Sequence, residues 1–90
     1  MGKCVPSGGL NPPIVGRNLP RTGPENSMSR LFNALGTLIQ ERWYGSDGHA
    51  IWDRDHTDHG NPRRHPQVPH DHAWPGGVRD ENWRMPSGSC

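Results

Sequence analysis

Between Thr57 and Trp74 the chain reads TDHGNPRRHPQVPHDHAW, which places four histidines, two aspartates and three prolines in eighteen residues. Neutral imidazoles and carboxylates are the nitrogen and oxygen donors of zinc sites, binding at about 2.0–2.2 Å. In His70-Asp71-His72 the two imidazoles point the same way if the chain is extended, and the surrounding prolines favour extension. Asp55, Asp58 and His59 add two oxygens and a nitrogen from just upstream, and His65 lies five residues before His70. Gly60 and Asn61-Pro62 supply a turn that can fold one half of the segment onto the other. The expected ligands of one divalent ion, zinc or magnesium, are therefore Asp55, His59, His65, His70 and His72. A catalytic ion in this set would keep one position open for water, whereas a structural ion would be closed by protein ligands.

The same residues can also do acid–base chemistry without a structural ion. Histidine titrates near neutrality. One imidazole, His59 first, can take the proton of a ribose 2′-hydroxyl while another, His70, protonates the leaving oxygen. Arg63 or Arg64 would hold the phosphate, and Asp58 or Asp71 would fix an imidazole tautomer. Asp58-His59 also resembles the Asp-His that opens the motif of His-metal nucleases, followed here by Asn61 and then His65 or His70 at a compressed spacing. In such enzymes the first histidine activates water and the later groups hold Mg²⁺ or Zn²⁺. The plain alternative is a polar loop whose histidines are solvated. His49 and His56 are read that way, as groups that pack and hydrogen-bond.

The elements that must position this chemistry have little apolar material to work with. Leu, Ile, Val and Phe number 13 of 90 residues and Gly plus Pro number 22, so an ion or a partner is expected to help hold the fold. A net charge of +1 excludes a general polybasic nucleic-acid surface, and no apolar run approaches membrane-spanning length. The N-terminus lacks the apolar core of a classical signal peptide, so export is expected only by another route. Cys4 and Cys90 sit almost at the two ends, as one disulfide or as two loose thiols.

Residues 1–28 hold five prolines and five glycines, which excludes a helix or a central strand. They read as a flexible or extended arm, a linker, or a segment wrapped over something else. Residues 75–90 read as an irregular tail. The middle contains a repeat: LFNALGTLIQER (31–42) and WYGSDGHAIWDR (43–54) align with Gly36 on Gly48, Ile39 on Ile51 and Arg42 on Arg54. Asp47-Gly48 predicts a two-residue type I′ hairpin turn. The resulting pairs are Tyr44/Ile51, Trp43/Trp52, Arg42/Asp53 and Glu41/Arg54, with Phe32/Ile39 and Arg30/Glu41 in the preceding hairpin. Aromatic and opposite-charge partners recur, each worth about 0.2–1 kcal/mol. The expected fold is a small, mostly-β domain over 29–74. It comprises a three-stranded antiparallel meander covered on one face by the irregular Pro/His-rich segment, with Trp74 as its anchor.

Residues 41–74 resemble a small C-terminal module of bacterial polymorphic-toxin, contact-dependent-inhibition and prophage-associated proteins. The resemblance is carried by Tyr44-Gly45-x-Asp47-Gly48, Asp53-x-Asp55, Thr57-Asp58-His59-Gly60-Asn61-Pro62, His65-Pro66 and Val68-Pro69-His70-x-His72-x-Trp74. It implies a nuclease toxin acting on nucleic acid, neutralised by an immunity protein or delivered by a carrier, and working inside a target cell. A non-enzymatic, metal-stabilised structural or protein-binding module accounts for the same histidines and for the deficient core.

Overall fold

The repeat is written into the backbone. Two hairpin loops, 33–37 and 45–49, close with the same bonds twelve residues apart. Asn33 and Gly45 donate their N–H to the carbonyls of Thr37 and His49, and Gly36 and Gly48 donate back to Asn33 and Gly45. Gly36 and Gly48 have φ of 82° and 80°, and a bulge follows the same register position in each hairpin, at Leu31/Phe32 and at Trp43/Tyr44. The predicted type I′ turn is thereby corrected. Asp47 does not have positive φ; its carboxylate accepts the His49 N–H at 3.0 Å, and only the glycine takes the left-handed position. A type I turn followed by a left-handed glycine and a bulge makes a longer loop than two residues. The bulges move the pairs next to the loops, so Tyr44 faces Ala50 rather than Ile51, and Phe32 faces Leu38 rather than Ile39. Beyond the bulges Trp43–Trp52, Arg42–Asp53, Glu41–Arg54 and Arg30–Glu41 stand opposite one another.

The computed structural model describes residues 6–57, 63 and 67–86. They form a small, mostly-β domain around one five-stranded sheet in the order β1-β2-β3-β4-β5. Strand β1 is Ile14–Val15, β2 Met28–Phe32, β3 Leu38–Tyr44, β4 Ala50–Asp55 and β5 His70–Ala73. Only β1–β2 is parallel. The expected meander of three strands is thus extended at both edges. The His-rich segment was expected to lie over a face, yet β5 pairs edge-on with β4, where the backbone groups of β4 need partners. Cys4 and Cys90 lie outside the described residues, and among those residues no helix is long and apolar enough to cross a membrane.

Because side chains alternate along a strand, the register sorts them into rows across β2, β3, β4 and β5. One face carries Ser29–Arg42–Asp53–His72 and Leu31–Gln40–Asp55–His70. The other carries Met28–Trp43–Trp52–Ala73 and Arg30–Glu41–Arg54–Asp71. The first is the His/Asp face and the second the Trp face.

The Pro/Gly-rich stretch before β2 runs extended and bonded to the sheet. Gly16 donates to Phe32, Gly23 to Gly48 and Asn26 to Gly45, while Ala50 donates to Arg21. Leu19 is buried, and the Pro20 carbonyl accepts the Tyr44 hydroxyl at 2.7 Å. A Cβ on Gly23 would meet the Tyr44 ring at 2.8 Å, so only glycine lets the strap lie this close. Trp74 packs with Tyr44 and Ala50 and takes the Arg42 guanidinium over its ring at 4.7 Å. Pro75–Gly77 form a short 3₁₀ turn, and Arg84 returns to bridge Asp71. Seven apolar residues are buried among those described, against eight polar or charged ones, so the interior of this domain is largely a polar network.

Candidate metal centre

Residue Asp55 ends β4, and His70 and His72 begin and continue β5, opposite it in register. The H-x-H spacing puts both imidazoles on one face of an extended strand. The antiparallel pairing then brings them over the Asp55 carboxylate. The Nε2 atoms of His70 and His72 each lie 3.5 Å from Asp55 Oδ2, and one donor atom from each residue falls within 4.8 Å of the others. All three residues are fully buried. Ligands at zinc's bond length stand about 3.3–3.5 Å apart along the edges of a tetrahedron, so both N···O distances match one ion's shell. This His₂Asp cluster is capable of chelating a metal ion.

The imidazoles are held from behind. His70 Nδ1 donates to the Gln67 carbonyl and His72 Nδ1 to the Asp80 carbonyl, each at 2.8 Å. A carbonyl only accepts, so Nδ1 carries the proton in both rings and the neutral tautomer turns its Nε2 lone pair toward Asp55. The rings stand nearly perpendicular, 78° apart with centroids at 5.0 Å. Burial pushes the His72 pKa below the ordinary imidazole value, and Arg79 and His70 push the same way. The Asp80 carbonyl bond and the Asp55 charge oppose them. The net direction favours the neutral imidazole that a metal requires.

Asp55 is held in turn. Gln40 donates to its Oδ1 at 2.8 Å and Arg79 Nη2 to its Oδ2 at 2.7 Å. Arg79 reaches Asp53 Oδ2 with Nη1 at 3.3 Å, while Arg42 grips both Asp53 oxygens at 2.7 and 2.9 Å. Two guanidinium groups therefore face two carboxylates one for one. This pairing makes burial of four charges tolerable and also fixes the angle at which Asp55 is presented.

Of the residues expected from sequence, Asp55, His70 and His72 come together. Asp58, His59, Arg64 and His65 lie outside the described residues, and Arg63 is exposed in a turn. Asp71 does not fix the tautomer of His70 or His72, whose Nδ1 atoms are held by the Gln67 and Asp80 carbonyls. One residue from each histidine in a strand, its side chain points to the Trp face, where it takes Arg54 at 3.0 Å and the Trp52 indole N–H at 2.7 Å. His56 bonds Glu41 at 2.7 Å and His49 lies exposed beside Asp47, as packing and solvated groups would. Sequence reasoning missed Arg79, Gln40 and the two carbonyls. Gln40 was legible, since the register places it opposite Asp55. Arg79 arrives from a tail without any pattern, and carbonyls leave no trace in residue identity. Comparison with family models, with curated proteins and with solved structures gives no match to this chain.

Proposed function

We propose that this chain is a metal-stabilised structural or protein-binding module, with one divalent ion held by Asp55, His70 and His72. The observation that carries the reading is the convergence of two tautomer-fixed Nε2 atoms on one buried carboxylate oxygen, each at 3.5 Å. Two imidazoles favour zinc over magnesium, which prefers an all-oxygen shell and keeps several waters. An ion there ties β4 to β5 and, through the Asp80 carbonyl and Arg79, to the chain beyond Trp74. That role suits a domain short of apolar core.

A nuclease would need an ion with an open position facing a groove. Full burial of all three ligand residues supports the closed, structural alternative over it. The likeness of residues 41–74 to terminal modules of polymorphic toxins then reads as a likeness of scaffold, with an immunity or carrier protein as the partner to test.

Metal analysis of purified protein decides the first point. About one zinc per chain is expected, retained through gel filtration and lost in Asp55→Ala, His70→Ala and His72→Ala. His59→Ala and His65→Ala, measured alongside, read whether those residues contribute. Incubation with RNA and DNA under Mg²⁺, Zn²⁺ and EDTA should give no cleavage. Cleavage abolished in His59→Ala would replace this reading with the nuclease.

A further inference from the structure

We infer that the hollow beside the metal centre is a binding site for a phosphate group, anchored by Arg17. The hollow measures about 190 Å³ and is lined by Arg17, Gln40, Arg42, Asp55, Thr57 and Arg79 among others. Pockets that enclose whole small molecules run about 300–1,000 Å³, so this one fits a single ionic group with its water. Its lining is predominantly polar, and three of the named side chains are guanidinium groups, the side chain best matched to phosphate geometry.

Two of those cations are already matched. Arg42 is spent on Asp53, and Arg79 bridges Asp53 and Asp55 with Glu81 beyond it, 74% exposed. Arg17 is different: it is exposed and makes no ion pair or hydrogen bond among the described residues. The backbone on either side of it is nevertheless held in place. Gly16 donates to Phe32 on one side, while on the other Leu19 is buried and its carbonyl accepts Arg42 Nη1 at 2.7 Å. A second hollow shares Asn18, Arg42 and Arg79 with the first and adds Arg21, another exposed cation without a partner among the described residues. The charge argument rests on the metal reading for its second half. An ion at Asp55, with both imidazoles neutral, adds two positive charges to a neighbourhood whose carboxylates are already paired. A dianion is the group that balances them, which favours phosphate over a carboxylate.

The test is a two-dimensional NMR titration of the protein as purified, with inorganic phosphate and, separately, acetate. Saturable shifts of the Arg17 Nε–H and the Gln40 side-chain amide are expected with phosphate, and at least tenfold weaker binding with acetate. Arg17→Glu should weaken phosphate binding at least tenfold, and Arg17→Lys should recover part of the loss. Arg17 is exposed, so its replacement should leave the fold intact, and the spectrum of each variant checks this. Zinc content measured on the same samples separates failure of this pocket from failure of the metal centre. Absence of saturable shifts, equal binding of acetate, or undiminished binding by Arg17→Glu overturns the inference.

Discussion

The two faces of the sheet are built by the same four strands and carry similar numbers of charges, yet the charges do different things. On the Trp face Arg30, Glu41, Arg54 and Asp71 alternate in sign along one row, and Arg30 keeps 39% of its side chain in water. At the Arg30–Glu41 end of that row solvent can replace much of what the partner supplies, and an exposed pair of this kind is worth about 0–1 kcal/mol. Asp71 at the other end, by contrast, is buried against Arg54 and the Trp52 indole. On the His/Asp face Asp53, Asp55, His70 and His72 have no exposed surface at all, and Arg42 has 6%. Nothing but protein, or an ion, can satisfy those groups. The difference comes from what lies above each row. The strap of residues 17–27 and the Trp74–Arg79 turn seal most of the His/Asp face, leaving the hollow beside Arg17, Gln40 and Asp55. Burial therefore turns an ordinary cross-strand ladder into a candidate metal centre.

The sharpest way to break that contrast is to remove one member of a sealed pair. Arg42→Met should cost about 3–5 kcal/mol, because Asp53 then loses its bidentate partner in a dry site. Arg30→Met on the other face should cost less than about 1 kcal/mol. Urea unfolding of both variants compares them directly, and equal costs would remove the distinction between the faces.

Removing the ion comes next. At free zinc about 100-fold above its dissociation constant, binding adds about 2.7 kcal/mol, which EDTA should abolish. His72→Ala protein should unfold at the same temperature with and without EDTA.

The seal itself can be tested at two glycines with the same backbone. Gly36 and Gly48 both have left-handed φ, so alanine at either should cost about 1–2 kcal/mol. A Cβ on Gly36 meets nothing, whereas one on Gly48 would sit 2.6 Å from the Gly23 carbonyl oxygen in the strap. Gly48→Ala should exceed Gly36→Ala by about a further 1–3 kcal/mol of overpacking. It should also speed hydrogen exchange at Gly23 and Asn26. Equal costs would show that the strap gives way freely.

The smallest effect is a separation in pH. His72 is lowered from 6.5 by burial, so in metal-free protein its contribution is complete above 6.5 and lost as pH falls toward its folded value. Glu41 is lowered from 4.5, chiefly by its hydrogen bond to His56, so its contribution persists to more acid pH and fades below 4.5. The second step should be worth less than about 1 kcal/mol and should vanish in Glu41→Gln. The first should vanish in His72→Gln. Stability measured from pH 7.5 to 3.5 reads both.

Much of this molecule was fixed by local pattern. The twelve-residue repeat, the opposed Trp43–Trp52 and Arg42–Asp53, and the shared direction of His70 and His72 all follow from period-two alternation and from charge and aromatic partners in register. Residue types alone could not locate the bulges, because a bulge depends on how a loop closes its own hydrogen bonds. They also could not place β5 against β4, pin the Pro/Gly-rich stretch to the sheet, or bring Arg79 between Asp53 and Asp55. Those contacts join residues 15 to 29 positions apart or arrive from segments without periodicity. Only the folded chain decides which row of charges is cut off from water, and the chemistry of Asp55, His70 and His72 depends on that. Residue identity sets what each side chain can bind; the depth at which the fold buries it sets whether an ion is needed there.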